Sequence, residues 1–121
     1  VFDHVVISVS DYARSKAFFL GALKPLGVTV AAESPLGVEL CGPDGGPSLC
    51  IRLTPEAQPT HLHLAFLAQT RQQVVAFYEA EELLEGFGSR ECVHSITRTL
   101  SAFVLCPDGH NIEAVCHEVD A

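Results

Sequence analysis

Residues 103–116 read FVLCPDGHNIEAVC. A Pro-Asp-Gly turn runs into a short apolar strand that carries one acid, Glu113. A half-exposed strand alternates its faces with period two. On that pattern Ile112 and Ala114 face a core. Glu113 then points either to solvent or into a cavity, where a carboxylate is costly unless it is paired or metal-bound. Earlier in the chain, residues 38–51 read VELCGPDGGPSLCI, again strand, Pro-Asp-Gly turn, strand.

The correspondence extends toward both ends. The stretch FDHVVISVS alternates Val5, Ile7 and Val9, and runs into Asp11, a good helix N-cap, followed by YARSKAFFLGAL. Ala13, Ala17, Phe18 and Leu20 are expected to form the apolar side of that helix, with Gly21 and the Pro25/Gly27 pair ending or loosening it. Residues 61–84 repeat the plan: HLHLAF predicts a strand, Thr70 with Gln73 predicts a capping box, and Val74, Phe77, Tyr78 and Leu84 predict an apolar helical stripe. His4 precedes Phe19 by the same interval as His63 precedes Tyr78. Three matches in order over the whole chain indicate a tandem duplication. The predicted modules cover about residues 1–57 and 60–121 of one domain, each strand, helix, then about three strands. Those later strands fall near 28–33, 37–41 and 48–53, then 98–106 and 110–118. Residues 85–97 give no clear reading, and 54–60 read as a linker.

Composition narrows the functional classes. Among 121 residues, 48% are hydrophobic and 18% charged, which predicts a folded chain. Seven Lys and Arg against 15 Asp and Glu give a net charge of -8, which argues against nucleic acid or an anionic membrane as partner. No apolar stretch approaches a membrane span. The five cysteines are odd in number and lack Cys-x-x-Cys spacing, so reduced thiols in a cytoplasmic protein are expected.

The pieces DHVVISVSD with SKAFF, HLHLAF with VVAFY, and AFVLCPDGHNIEAV resemble the vicinal oxygen chelate superfamily, also called the glyoxalase/bleomycin-resistance/dioxygenase fold. The resemblance implies an α+β fold in which two tandem βαβββ modules have curved sheets enclosing a cleft. It places metal ligands at His4, His63 and Glu113. Two imidazoles and a carboxylate suit a divalent metal (Mn, Fe, Ni or Zn) and leave positions open for substrate oxygens. The implied function is a glyoxalase-like metalloenzyme of lyase, dioxygenase or thiol-transferase type, acting on a small oxygen-bearing molecule and assembled as a homodimer. The alternative is a metal-free protein that sequesters a drug or small metabolite in the same cleft.

Other site residues follow from this frame. Some members carry a fourth ligand on the last strand of the first module, Glu or Gln in glyoxalase I. Aligning LCI with IEA puts Cys50 there; anchoring on the Pro-Asp-Gly turns puts Leu49 there. Neither is an acid, so efficient glyoxalase I activity is not expected. Cys50 is read as a cavity-lining residue, and Arg52 and Arg98 as anion-binding candidates for the substrate, with Arg90 a further arginine of that kind. Glu113 and His94 are the candidate catalytic groups. Fosfomycin-resistance thiol transferases share the three-ligand pattern, but they have Thr where Val6 stands and a basic tail where this chain ends HEVDA. His61, His110 and His117 are expected at the periphery of the site or in solvent.

Overall fold

A computed structural model of the chain describes residues 2–56, 62–83, 90–94 and 99–117, with 81–83 and 90–94 described for the backbone alone. The first module runs β1 (His4–Val9), α1 (Tyr12–Leu23), a 3₁₀ turn (Lys24–Leu26), β2 (Thr29–Ser34), β3 (Gly37–Gly42) and β4 (Gly45–Leu53). The second runs β5 (His63–Leu67), α2 (Arg71–Leu83), β6 (Arg90–His94), β7 (Leu100–Leu105) and β8 (Asn111–Cys116). The sheets have the same topology, β1-β4-β3-β2 and β5-β8-β7-β6. In each, the first and last strands of the module are parallel and the others antiparallel. The two βαβββ modules read from the repeat are therefore present, and β6 occupies part of the stretch that gave no clear reading.

Both helices start where their caps predict. The Asp11 carboxylate accepts from the Arg14 N–H at 3.2 Å, and the Thr70 hydroxyl accepts from the Gln73 N–H at 3.1 Å. Gln73 reaches back one residue further than a standard capping box, accepting from the Gln69 N–H at 2.7 Å. The apolar face of α1 differs from the expectation. Phe18, Phe19, Ala22 and Leu23 are buried, whereas Ala13 and Ala17 are exposed. The two Phe rings, edge to face with centroids 5.1 Å apart, set the buried side, because they remove far more apolar surface from water than alanine methyls.

The core follows the period of the strands. Ile7 and Val9 of β1, Leu49 and Ile51 of β4, and Ile112, Ala114 and Cys116 of β8 all face inward, against Phe18, Val74 and Phe77 of the helices. The two modules meet through α1 and α2. A second link is polar: Asp108, in the β7–β8 turn, accepts from the Ser10 hydroxyl at 2.7 Å and from its N–H at 3.3 and 3.4 Å. In that turn the Gly109 N–H bonds the Cys106 carbonyl at 2.8 Å, with Pro107 second and Gly109 fourth at φ 85°, the Pro and Gly places of a type I turn.

Candidate functional site

The strands that bury one set of side chains expose the other. On the second sheet the open face carries His63 on β5, Asn111 and Glu113 on β8, and Phe103 on β7. Residue 113 stands opposite Ala65, and residue 111 opposite His63. Glu113 is thus not a solvent residue: its side chain is 13% exposed, and Oε1 lies 2.7 Å from His63 Nε2. Phe103 packs against the His63 ring in a T-shaped arrangement, with centroids 5.9 Å apart. Asn111 adds a buried amide oxygen with no hydrogen-bond partner.

On the first sheet His4 holds the place that His63 holds on the second. It opposes Ser48, as His63 opposes Asn111, so Cys50, opposite Val6, is the counterpart of Glu113. Between the two sequence alignments the register therefore selects Cys50; Leu49 belongs to the core at 5% exposure. His4 Nδ1 lies 2.8 Å from the Asp3 carboxylate. A carboxylate can only accept, so a neutral His4 has its proton on Nδ1 and its lone pair on Nε2, the arrangement in which imidazoles bind metals.

The Glu113 carboxylate can only accept, so a neutral His63 carries its proton on Nε2 toward it, and a divalent cation held by both groups would take that proton's place. Two adjacent ligands at about 2.1 Å from one ion stand about 3.0 Å apart in octahedral and about 3.4 Å apart in tetrahedral geometry, so the pair, 2.7 Å apart here, would open by a few tenths of an ångström to hold one. Within one chain, however, the structure brings only two of the three expected ligands together. Among the described residues no three His, Cys, Asp or Glu side chains form a metal-holding group. The reason is topological: His4 and His63 lie on edge strands of separate sheets, and β1 and β5 are not paired with each other.

Cys50 and Arg52 line one cleft of about 600 Å³ on the open face of the first sheet, together with Glu33, Leu36 and Glu39. Glu39 and its partner Ser48 were not singled out from sequence. Their place depends on the β3–β4 register, which shifts between Leu40 and Gly42 and leaves no trace in the residue pattern. His110, expected in solvent, is 3% exposed, because it continues the inward parity of Ile112 and Ala114. His117 is exposed, as expected. His61 and Arg98 lie outside the described residues, as do the side chains of His94 and Arg90.

The sequence matches the family model of the Glyoxalase/Bleomycin resistance protein/Dioxygenase superfamily over residues 1–114, and the chain belongs to that superfamily. It is similar to a glyoxalase/bleomycin resistance protein from Albidiferax ferrireducens, at 25% identity, TM-score 0.81, and coverage of 97% of this chain and 98% of that one. Lactoylglutathione lyase from Agrobacterium tumefaciens shares the fold at 15% identity and TM-score 0.74, over 96% and 92% of the two chains. A bleomycin resistance determinant encoded on the transposon Tn5 does so at 15% identity and TM-score 0.65, over 96% and 97%. No curated protein matches the sequence. No helix among the described residues is long and apolar enough to cross a membrane.

Proposed function

We propose that the protein is a metal-dependent enzyme acting on a small oxygen-bearing substrate, with each metal held by His63 and Glu113 of one copy and His4 of a second copy. The observation that carries this reading is the convergence of His63 and Glu113 at 2.7 Å, with His4 at the same register in the other module. Two features support a second copy. β1 and β5 are edge strands with unpaired backbone groups. Phe2, Val6 and Leu67, on or beside those strands, are exposed by 72%, 45% and 69%, and exposed apolar groups of this kind mark association surfaces. A symmetric dimer would set the first module of each copy against the second module of the other, producing two equivalent sites.

A divalent metal there supplies Lewis acidity toward a substrate oxygen. The chain's own residues then have separable tasks. Asp3 and Phe103 hold the two imidazoles in orientation. Glu113 binds beside His63 and is the nearest carboxylate to that histidine, so it is also placed to hold a proton during the reaction. Arg52 offers its cation to an anionic substrate group, and Cys50 shapes the cleft between them. Lactoylglutathione lyase, among the structural neighbours, is named for a reaction of this general class.

A metal-free drug or metabolite binder is the second reading. It is favoured by the gathering, among the described residues, of only two metal-binding side chains within one chain and by the likeness to a bleomycin resistance determinant. Elemental analysis of protein purified without chelators separates the two. The enzyme reading expects about one divalent metal per chain, lost in His63→Ala. Protein free of metal that also takes up none of Mn, Fe, Ni or Zn would contradict it.

A further inference from the structure

The first sheet carries a carboxylate at a position the duplication does not forecast. In the second module Glu113 on β8 has Phe103 of β7 as its cross-strand neighbour. In the first module the equivalent pair is Cys50 on β4 and Glu39 on β3. The acid has thus moved outward by one strand, about 4.8 Å in the sheet. Parity keeps it on the open face, because directly opposed residues of a sheet project to the same side.

Glu39 is built into its position. The Ser48 hydroxyl donates to Glu39 Oε2 at 2.7 Å, and Ser48 is itself only 8% exposed. Ser48 stands directly opposite His4, so the hydroxyl turns the carboxylate toward the histidine's end of the sheet. Among the described residues Glu39 has no other hydrogen bond or ion pair. Arg52, its diagonal neighbour across the β3–β4 ladder, leaves it unneutralised. Both line the 600 Å³ cleft. A half-buried carboxylate with one oxygen held and the other without a partner lacks a donor, and a charge-assisted hydrogen bond is the strongest kind a ligand can add.

We propose that Glu39 is the substrate-side acceptor of the site. It would take a hydrogen bond from an O–H or N–H group of a substrate whose adjacent oxygens reach the metal. The observation thus adds one requirement to the substrate, a hydroxyl or amide hydrogen beside the oxygens that chelate the metal. This rests on the metal reading above.

The test uses two probes with identical chelating oxygens. Acetohydroxamate carries an N–H beside them; N-methylacetohydroxamate does not. Affinities are measured by calorimetry on zinc-loaded protein, and zinc affinity is measured separately. Wild type should prefer acetohydroxamate by on the order of 10- to 100-fold. Glu39→Ala should erase most of that preference while zinc affinity stays unchanged. Glu39→Gln, which preserves the shape and the Ser48 contact, should reduce it several-fold, so the result does not hang on the folding of the alanine variant. Adding Cys50→Glu to Glu39→Ala should restore it by returning the acid to β4. An undiminished preference in both Glu39 variants overturns the proposal. So does loss of zinc by Glu39→Ala, which would make Glu39 a ligand of the metal. Failure of wild type to bind zinc overturns the metal reading itself, and this proposal with it.

Discussion

Cys50 stands opposite Val6 in the first sheet as Glu113 stands opposite Ala65 in the second. The site therefore has a thiol where its own internal symmetry calls for a carboxylate. To isomerise a glutathione hemithioacetal, Glu113 would have to bind the metal and take the substrate proton as well, and loss of a separate general base costs about 100- to 10,000-fold in rate. Metal-loaded protein is expected to turn over methylglyoxal with glutathione at least 100-fold more slowly than a dedicated glyoxalase. Cys50→Glu is expected to raise that rate. Wild-type turnover at the level of a dedicated glyoxalase would show that the position is misassigned.

Asp108 links the modules through three contacts to Ser10. Asp108→Ala should lower the free energy of unfolding by about 1 kcal/mol. Ser10→Ala on top of it should cost little more, because both remove the same hydroxyl–carboxylate bond. Urea denaturation of the two single variants and the double variant measures this. Additive losses would mean that Asp108 stabilises the fold by another route.

Phe77 is fully buried where α2 covers the second sheet, whereas Val75 on the same helix is 42% exposed. Phe77→Ala is expected to cost about 3–5 kcal/mol through lost burial and the cavity left behind. Val75→Ala should stay within about 0.5 kcal/mol. Thermal and denaturant unfolding of the pair tests the assignment of the helix face.

Burial pushes the Cys106 thiol up from its ordinary value of 9.0, outweighing the backbone hydrogen bonds that favour its thiolate. The unfolded chain then deprotonates this cysteine at lower pH than the folded chain does. Its contribution to stability is complete below the unfolded value and is lost as the pH rises above it. Wild type should lose stability between about pH 9 and its folded-state value with an extra slope of at most about 1.4 kcal/mol per pH unit, and Cys106→Ala should lack that extra slope. Chemical denaturation at a series of alkaline pH values reads this directly.

Much of this was legible in the chain because duplication turns one weak signal into two. His4 with Phe19 and His63 with Tyr78 keep a common interval, and that interval fixed the modules and both histidines. Strand parity then placed Glu113 on the open face. Parity does not determine cross-strand register, so Leu49 and Cys50 could not be separated until β1 was seen paired with β4. Glu39 was hidden for the same reason, since its partner depends on a bulge in the β3–β4 hairpin. Nor could the residues alone show that His4 and His63 sit on unpaired edges. Edge pairing depends on how the modules dock, which here runs through α1 and α2.

A metal held by two copies of the chain, as proposed, can be tested with a mixed dimer. His4→Ala and His63→Ala variants, each with a different affinity tag, are coexpressed, and the doubly tagged dimer is isolated without chelators. Its metal content is compared with those of wild type and the two parent homodimers. Each parent lacks one imidazole at every site. In the mixed dimer, one site regains His4 from one chain and His63 with Glu113 from the other, while the second site loses both histidines. About one metal per mixed dimer is expected, with two per wild-type dimer and close to none in either parent. A mixed dimer as empty as its parents, from a wild type that does bind metal, would contradict it.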